Sequence, residues 1–185
     1  MIADAHCHFF SSRFLELISQ PIPDLPVDGR AAAVAARLGW SDPRDPAALA
    51  SNWNFELDRH DVHRAALIAS IPGDEASVAE AVRLHPDRFV GFFMFNPTAP
   101  DAAEPLERAF TEQRLRCVCL FPAMHRYRLD DPSVATVFQS AALHRAAVFV
   151  HCGVLSVGIR GKLGLPSPFD LRLGDPLALA SVAEP

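Results

Sequence analysis

The sequence predicts an α/β fold, read as an incomplete (β/α)8 barrel holding strands one to five with their helices. Three observations point there. Short apolar runs begin at residues 65, 89, 117 and 147, at intervals of 24, 28 and 30. They are continuous rather than alternating, as in parallel strands covered on both faces. Each interval also holds one segment of helical period, the rhythm of a βαβ unit.

The first strand is Ile2-Ala3-Asp4-Ala5-His6-Cys7-His8. A long first crossover follows, over residues 9 to 64. It contains a Pro-rich loop (Pro21, Pro23, Pro26), a helix over Arg30 to Leu38, a loop from Ser41 to Pro46 and a helix from about Ala47 to His60. Loops at the C-terminal ends of strands carry function in α/β folds, so this insertion is read as facing a substrate. The second strand is Ala65 to Ala69, and Asp74-Glu75-Ala76-Ser77 opens the next helix, which His85-Pro86-Asp87 ends. The third strand is Phe89 to Phe95, followed by a helix from Asp101 with Leu106 and Phe110 on one face. The fourth spans Cys117 to Phe121. Asp131-Pro132-Ser133 then starts a helix with proline in its first turn, where the missing N–H costs nothing. The fifth strand is Ala147 to Val150, and Gly174-Asp175-Pro176 predicts a last helix over Leu177 to Glu184.

Five such strands make most of a barrel or all of a small open sheet, and the histidines decide between them. On a strand alternate side chains share a face, so His6 and His8 project one way and Cys7 the other. His151 closes the fifth run. Barrel closure lets ligands after strands one and five converge across the mouth. Imidazole nitrogen suits zinc and its neighbours, so His6, His8 and His151 are read as ligands of one divalent metal ion, zinc first. Asp4, two residues before His6, is placed on the histidine face as a possible acceptor from an imidazole.

A second cluster follows the fourth strand. His125, Arg126 and Tyr127 offer a cation and hydrogen-bond donors on the same end of the barrel, and are read as candidate substrate-binding residues. Packing and an ion pair to Asp130 or Asp131 explain that loop slightly better. His60, His63, His85 and His144 fall near helix ends on the opposite side and receive no catalytic role.

Composition narrows the class. A net charge of −5 and a pI near 5.9 argue against nucleic acid or anionic membranes as partners. No run of ~20 apolar residues spans a bilayer, and no signal-peptide pattern opens the chain, so the expectation is a cytoplasmic protein acting on a small molecule. Cys7, Cys117, Cys119 and Cys152 read as small buried thiols, since a Cys-x-Cys zinc site lacks a second pair.

Asp4-Ala5-His6-Cys7-His8, Phe149-Val150-His151 and Glu56-Leu57-Asp58-Arg59-His60-Asp61-Val62 resemble the amidohydrolase-related barrel hydrolases. That branch also contains aminocarboxymuconate-semialdehyde decarboxylase and related non-oxidative decarboxylases. The resemblance covers residues 1–185 as one domain, matching the N-terminal five-eighths of a family barrel. It implies a metal-dependent hydrolase whose activated water attacks a small carbonyl or carboxylate substrate. The alternatives it leaves are decarboxylation at the same site, or a catalytically inactive fragment or binding module. It also implies a histidine after strand six and an aspartate after strand eight, for which residues 1–185 offer no counterpart. Without strands six to eight, strands one and five would each present an open edge, so the chain is expected to form homo-oligomers.

Overall fold

The computed structural model describes residues 1–153 and 157–182. Five parallel strands are β1 (Ile2–Phe9), β2 (Val62–Ala69), β3 (Phe89–Phe95), β4 (Cys117–Leu120) and β5 (Ala147–Val150), and their order in the sheet follows the chain. Parallel neighbours require crossovers, and here these are helical. The fold is an incomplete (β/α) barrel.

The chain forms two compact units, Met1–Phe93 and Met94–Pro185. In the first, β1 leads into α1 (Ser12–Ser19), α2 (Arg30–Leu38) and α3 (Pro46–Arg59), and β2 leads into α4 (Glu75–Leu84). Two of these helix starts have a side-chain cap. Ser11 caps α1 by accepting from the Phe14 amide at 2.9 Å, and Asp45 caps α3 by accepting from the Ala48 amide at 2.7 Å, with Pro46 following. Alanine-rich α2 ends at Gly39, whose φ of 73° is the left-handed conformation that glycine adopts without penalty. Phe9, Leu15, Val34, Leu67, Ile68, Val78 and Phe93 are fully buried and form this unit's core. Each such side chain stabilises the fold by about 1.5–3 kcal/mol relative to exposure.

The second unit carries α5 (Ala103–Thr111), β4, the short α6 (Pro122–His125), α7 (Pro132–Leu143), β5 and the short α8 (Gly158–Lys162). Asp131 caps α7 through the Ser133 amide at 2.9 Å, with Pro132 in the first turn. Leu106, Leu115, Val118, Leu120 and Val134 fill its core. Glu107 on α5 accepts from Ser140 at 2.5 Å and pairs with His144 at 2.8 Å, tying α5 to α7. These bonds hold the Glu107 carboxyl below its ordinary range, Ser140 contributing most.

Two sequence expectations change. A helix at Ser12–Ser19 was absent from the sequence reading of the first crossover. The segment from Leu177 forms a 3-10 turn over Pro176–Ser181 rather than an α-helix, and residues 183–185 lie outside the described residues. No helix among the described residues is long and apolar enough to cross a membrane.

Candidate metal centre

The histidine pair sits at the C-terminal end of β1. His6 Nε2 and His8 Nε2 face each other at 3.2 Å, and the rings meet edge-on with centroids 5.0 Å apart. Two imidazoles sharing one ion at 2.0–2.1 Å with a tetrahedral angle have nitrogens about 3.3 Å apart. The pair therefore fits a single small cation. Among the described residues, no group of three or more His, Cys, Asp or Glu side chains is gathered closely enough to hold a metal.

A β-bulge precedes the pair. Asp4 pairs with Ala65 and Cys7 with Leu67, so three steps along β1 match two along β2. The extra residue breaks the two-residue alternation between Asp4 and His6. Asp4 accordingly shares the strand face of Cys7, whose thiol bonds its carboxylate, where strict alternation sets it with His6. Its carboxylate accepts from the His6 main-chain amide at 3.0 Å. That bond first, then the Cys7 thiol, holds Asp4 below the usual carboxylate range. Burial, with the bond to Asp4 adding to it, pushes the Cys7 thiol up to about 12.

His8 is gripped from β2. Ser70, one residue past the end of that strand and 8% exposed, lies with its Oγ 2.8 Å from His8 Nδ1. The same hydroxyl donates to the Ile68 carbonyl at 3.0 Å. His8 also stacks on Phe10, nearly parallel at 8° with centroids 5.5 Å apart, and Phe10 stacks on Trp40 at 5.4 Å. A cavity of about 190 Å³ opens beside this ladder, lined by His8, Phe10, Trp40, Pro43, Leu49 and Trp53. It is an apolar, aromatic-walled slot with a histidine edge. The long first crossover supplies most of its walls, in keeping with its reading as substrate-facing.

One more buried polar contact shapes this end of the unit. Ser11 Oγ lies 2.7 and 2.8 Å from the two Asp74 oxygens, joining the loop after β1 to the loop after β2. Asp74 is 1% exposed, and burial raises its carboxyl to about 6 against the pull of Ser77 and Ser11. A larger cavity, about 420 Å³, lies at the start of β2 among Asp58, Asp61, His63, Arg64, Asp87 and Arg88. It belongs to the opposite end of the strands, where Arg88 pairs with Asp58 at 2.8 Å.

In the second unit His151 follows β5, its amide donating to the Leu120 carbonyl at 2.8 Å and its ring stacked on Phe121 at 4.9 Å. Of the three candidates after β4, Tyr127 is 3% exposed and burial raises its phenol. His125 is half-buried, and desolvation lowers it despite a bond to the Phe95 carbonyl. Arg126 is exposed, and its guanidinium donates twice to the Pro168 carbonyl at 3.1 and 2.8 Å. Sequence reasoning passed over Ser70, Phe10, Trp40 and Trp53. A polar residue closing an apolar strand was the available signal for Ser70; the aromatics are brought together only by the packing of the first crossover.

No curated protein matches the chain. Among solved structures, 5-carboxyvanillate decarboxylase of Novosphingobium aromaticivorans, complexed with manganese and 4-hydroxy-3-methoxy-5-nitrobenzoic acid, superposes with a TM-score of 0.60. Identity is 15%, over 100% of this chain and 55% of that one. An uncharacterised TIM-barrel protein of Bordetella bronchiseptica gives 0.60 at 15% identity, over 98% and 62%. A probable 2-pyrone-4,6-dicarboxylic acid hydrolase of Acinetobacter baumannii, with citric acid bound, gives 0.53 at 17%, over 82% and 49%. The chain thus spans about half to three-fifths of these structures' lengths. At such identities the likeness establishes the barrel fold. The family model for amidohydrolases matches residues 3–185, and by that match the chain belongs to the amidohydrolase family.

Proposed function

We propose that His6, His8 and His151 are ligands of one divalent metal in a hydrolase acting on a small carbonyl or carboxylate substrate. The observation that carries this reading is the 3.2 Å approach of His6 Nε2 to His8 Nε2, the spacing of two nitrogens on a common ion. Zinc suits the imidazole donors; manganese is the ion named with the superposing decarboxylase. When bound, such an ion polarises a carbonyl and brings the pKa of a coordinated water from 15.7 toward about 7.

The chain's own residues do the rest. His6 and His8 present nitrogen lone pairs from a strand end, a rigid support for a site. Phe10, Trp40 and Trp53 form a slot beside His8 that excludes water from one face of a flat substrate and orients it. Arg126, once released from the Pro168 carbonyl, offers a bidentate donor pair for a carboxylate, with His125 and Tyr127 beside it in sequence. Decarboxylation is the second reading, favoured by the aromatic walls of that slot, which suit an aryl acid.

The first test is metal content of the purified protein and of the His6→Ala/His8→Ala double variant. The native protein is expected to retain close to one equivalent of zinc or manganese, and the double variant to lose most of it. An unchanged stoichiometry in the folded double variant rules out this site. Metal-loaded protein assayed on ester, lactone and aryl carboxylate substrates then separates hydrolysis from decarboxylation.

A further inference from the structure

We infer that Ser70 is a positioning residue that fixes the tautomer and ring orientation of His8, leaving Nε2 as the metal-binding nitrogen; the inference rests on the metal reading above. A serine hydroxyl has one proton. The Ile68 carbonyl cannot donate, so its 3.0 Å contact with Ser70 Oγ uses that proton. Ser70 Oγ then meets His8 Nδ1 at 2.8 Å with a lone pair, and the proton between them belongs to Nδ1. A neutral imidazole carries one N–H, so His8 Nε2 has its lone pair directed at the side where His6 Nε2 lies 3.2 Å away.

The surroundings hold this arrangement in place. Ser70 is 8% exposed, which limits competition from water for its hydroxyl. His8 and Ile68 are register partners across β1 and β2, so the carbonyl that takes the serine proton is fixed beside the histidine it serves. Phe10, parallel to the His8 ring, blocks its rotation out of the plane that reaches Ser70. The relay runs from a β2 carbonyl through a hydroxyl to a β1 imidazole and needs no ionised group. Partners of this kind raise ligand basicity, and their loss typically costs about 10- to 100-fold in metal affinity.

The test compares the native protein with Ser70→Ala, Ser70→Thr and Ser70→Val. Cobalt(II) affinity is measured by chelator competition, the cobalt absorption spectrum is recorded, and the His8 tautomer is read from ¹⁵N-resolved NMR of the metal-free protein. Ser70→Ala is expected to weaken cobalt binding by about 10- to 100-fold and alter the spectrum. Ser70→Thr, which keeps the hydroxyl, should bind within a few-fold of native. Thr and Val share a shape, so a loss in Val that Thr rescues assigns the effect to the hydroxyl even if Ala folds poorly. Native affinity in Ser70→Val, or an Nε2-protonated His8 in the native protein, overturns the role of Ser70 while leaving the metal site standing. Absence of cobalt binding by the native protein overturns both.

Discussion

At the scale of single residues, the most consequential side chain outside the histidine pair is Asp74. Burial raises its carboxyl to about 6, above the 3.8 of an exposed aspartate. Below about pH 4 both folded and unfolded chains hold the proton, and this group costs nothing. Between about 4 and 6 the unfolded chain ionises while the fold resists, so stability falls as pH rises through that window. A shift of this size corresponds to about 3 kcal/mol, with Ser11, Ser77 and Arg13 drawing it down and neighbouring Glu75 pushing it up. Asp74→Asn cannot titrate. Urea unfolding of that variant from pH 4 to 7 is expected to lack the decline seen in the native protein; parallel curves would show that Asp74 ionises freely in the fold.

At the scale of elements, much of the architecture was legible because local signals agreed with packing. β3 at Phe89–Phe95, β5 at Ala147–Val150 and α2 at Arg30–Leu38 match their sequence-read bounds. Each is an uninterrupted apolar run, or an alanine-rich segment closed by glycine. Three features were not legible. α1 has eight residues and follows β1 after a two-residue link, so its cap at Ser11 merged with the end of the strand pattern. The segment after Asp175 carries the same Asp-Pro start signal as α7, but Leu177 is 79% exposed. Among the described residues none from Pro176 to Ala180 is fully buried, and the backbone settles into the tighter 3-10 turn. The bulge in β1 has no composition signature at all; it is set by pairing with β2, which sequence alone does not display. The candidate ligands were therefore visible as residues, while Ser70 and the aromatic ladder depend on register and crossover packing.

At the scale of the whole molecule, β1 and β5 end the strand order, and both expose apolar surface. Ile2 is 56% exposed and Phe149 37%. Unpaired strand edges template further pairing; the bulge and Asp4 blunt this at β1, while β5 carries no charged residue. Parallel strands with continuous apolar faces are usually covered on both sides. Residues 1–185 expressed alone are therefore expected to self-associate, with sedimentation velocity showing a concentration-dependent rise in mass over the micromolar range. A single monomeric species that unfolds cooperatively across that range counts against this.

The half-step that the bulge inserts into β1 works as a phase shifter. Upstream of it Asp4 is in step with Cys7; downstream, His6 and His8 keep their own beat. The register thereby withholds a hard oxygen donor from two borderline nitrogen donors only two residues away. Deleting Ala5 removes the half-step and leaves two regular steps from Asp4 to Cys7, so the carboxylate keeps to the thiol side. A mixed nitrogen–oxygen donor set inclines toward harder ions; because the deletion does not create one, the variant should keep the native order of zinc and manganese affinity. A gain of manganese over zinc in competitive loading would mean that the carboxylate reaches the imidazoles whatever the strand register.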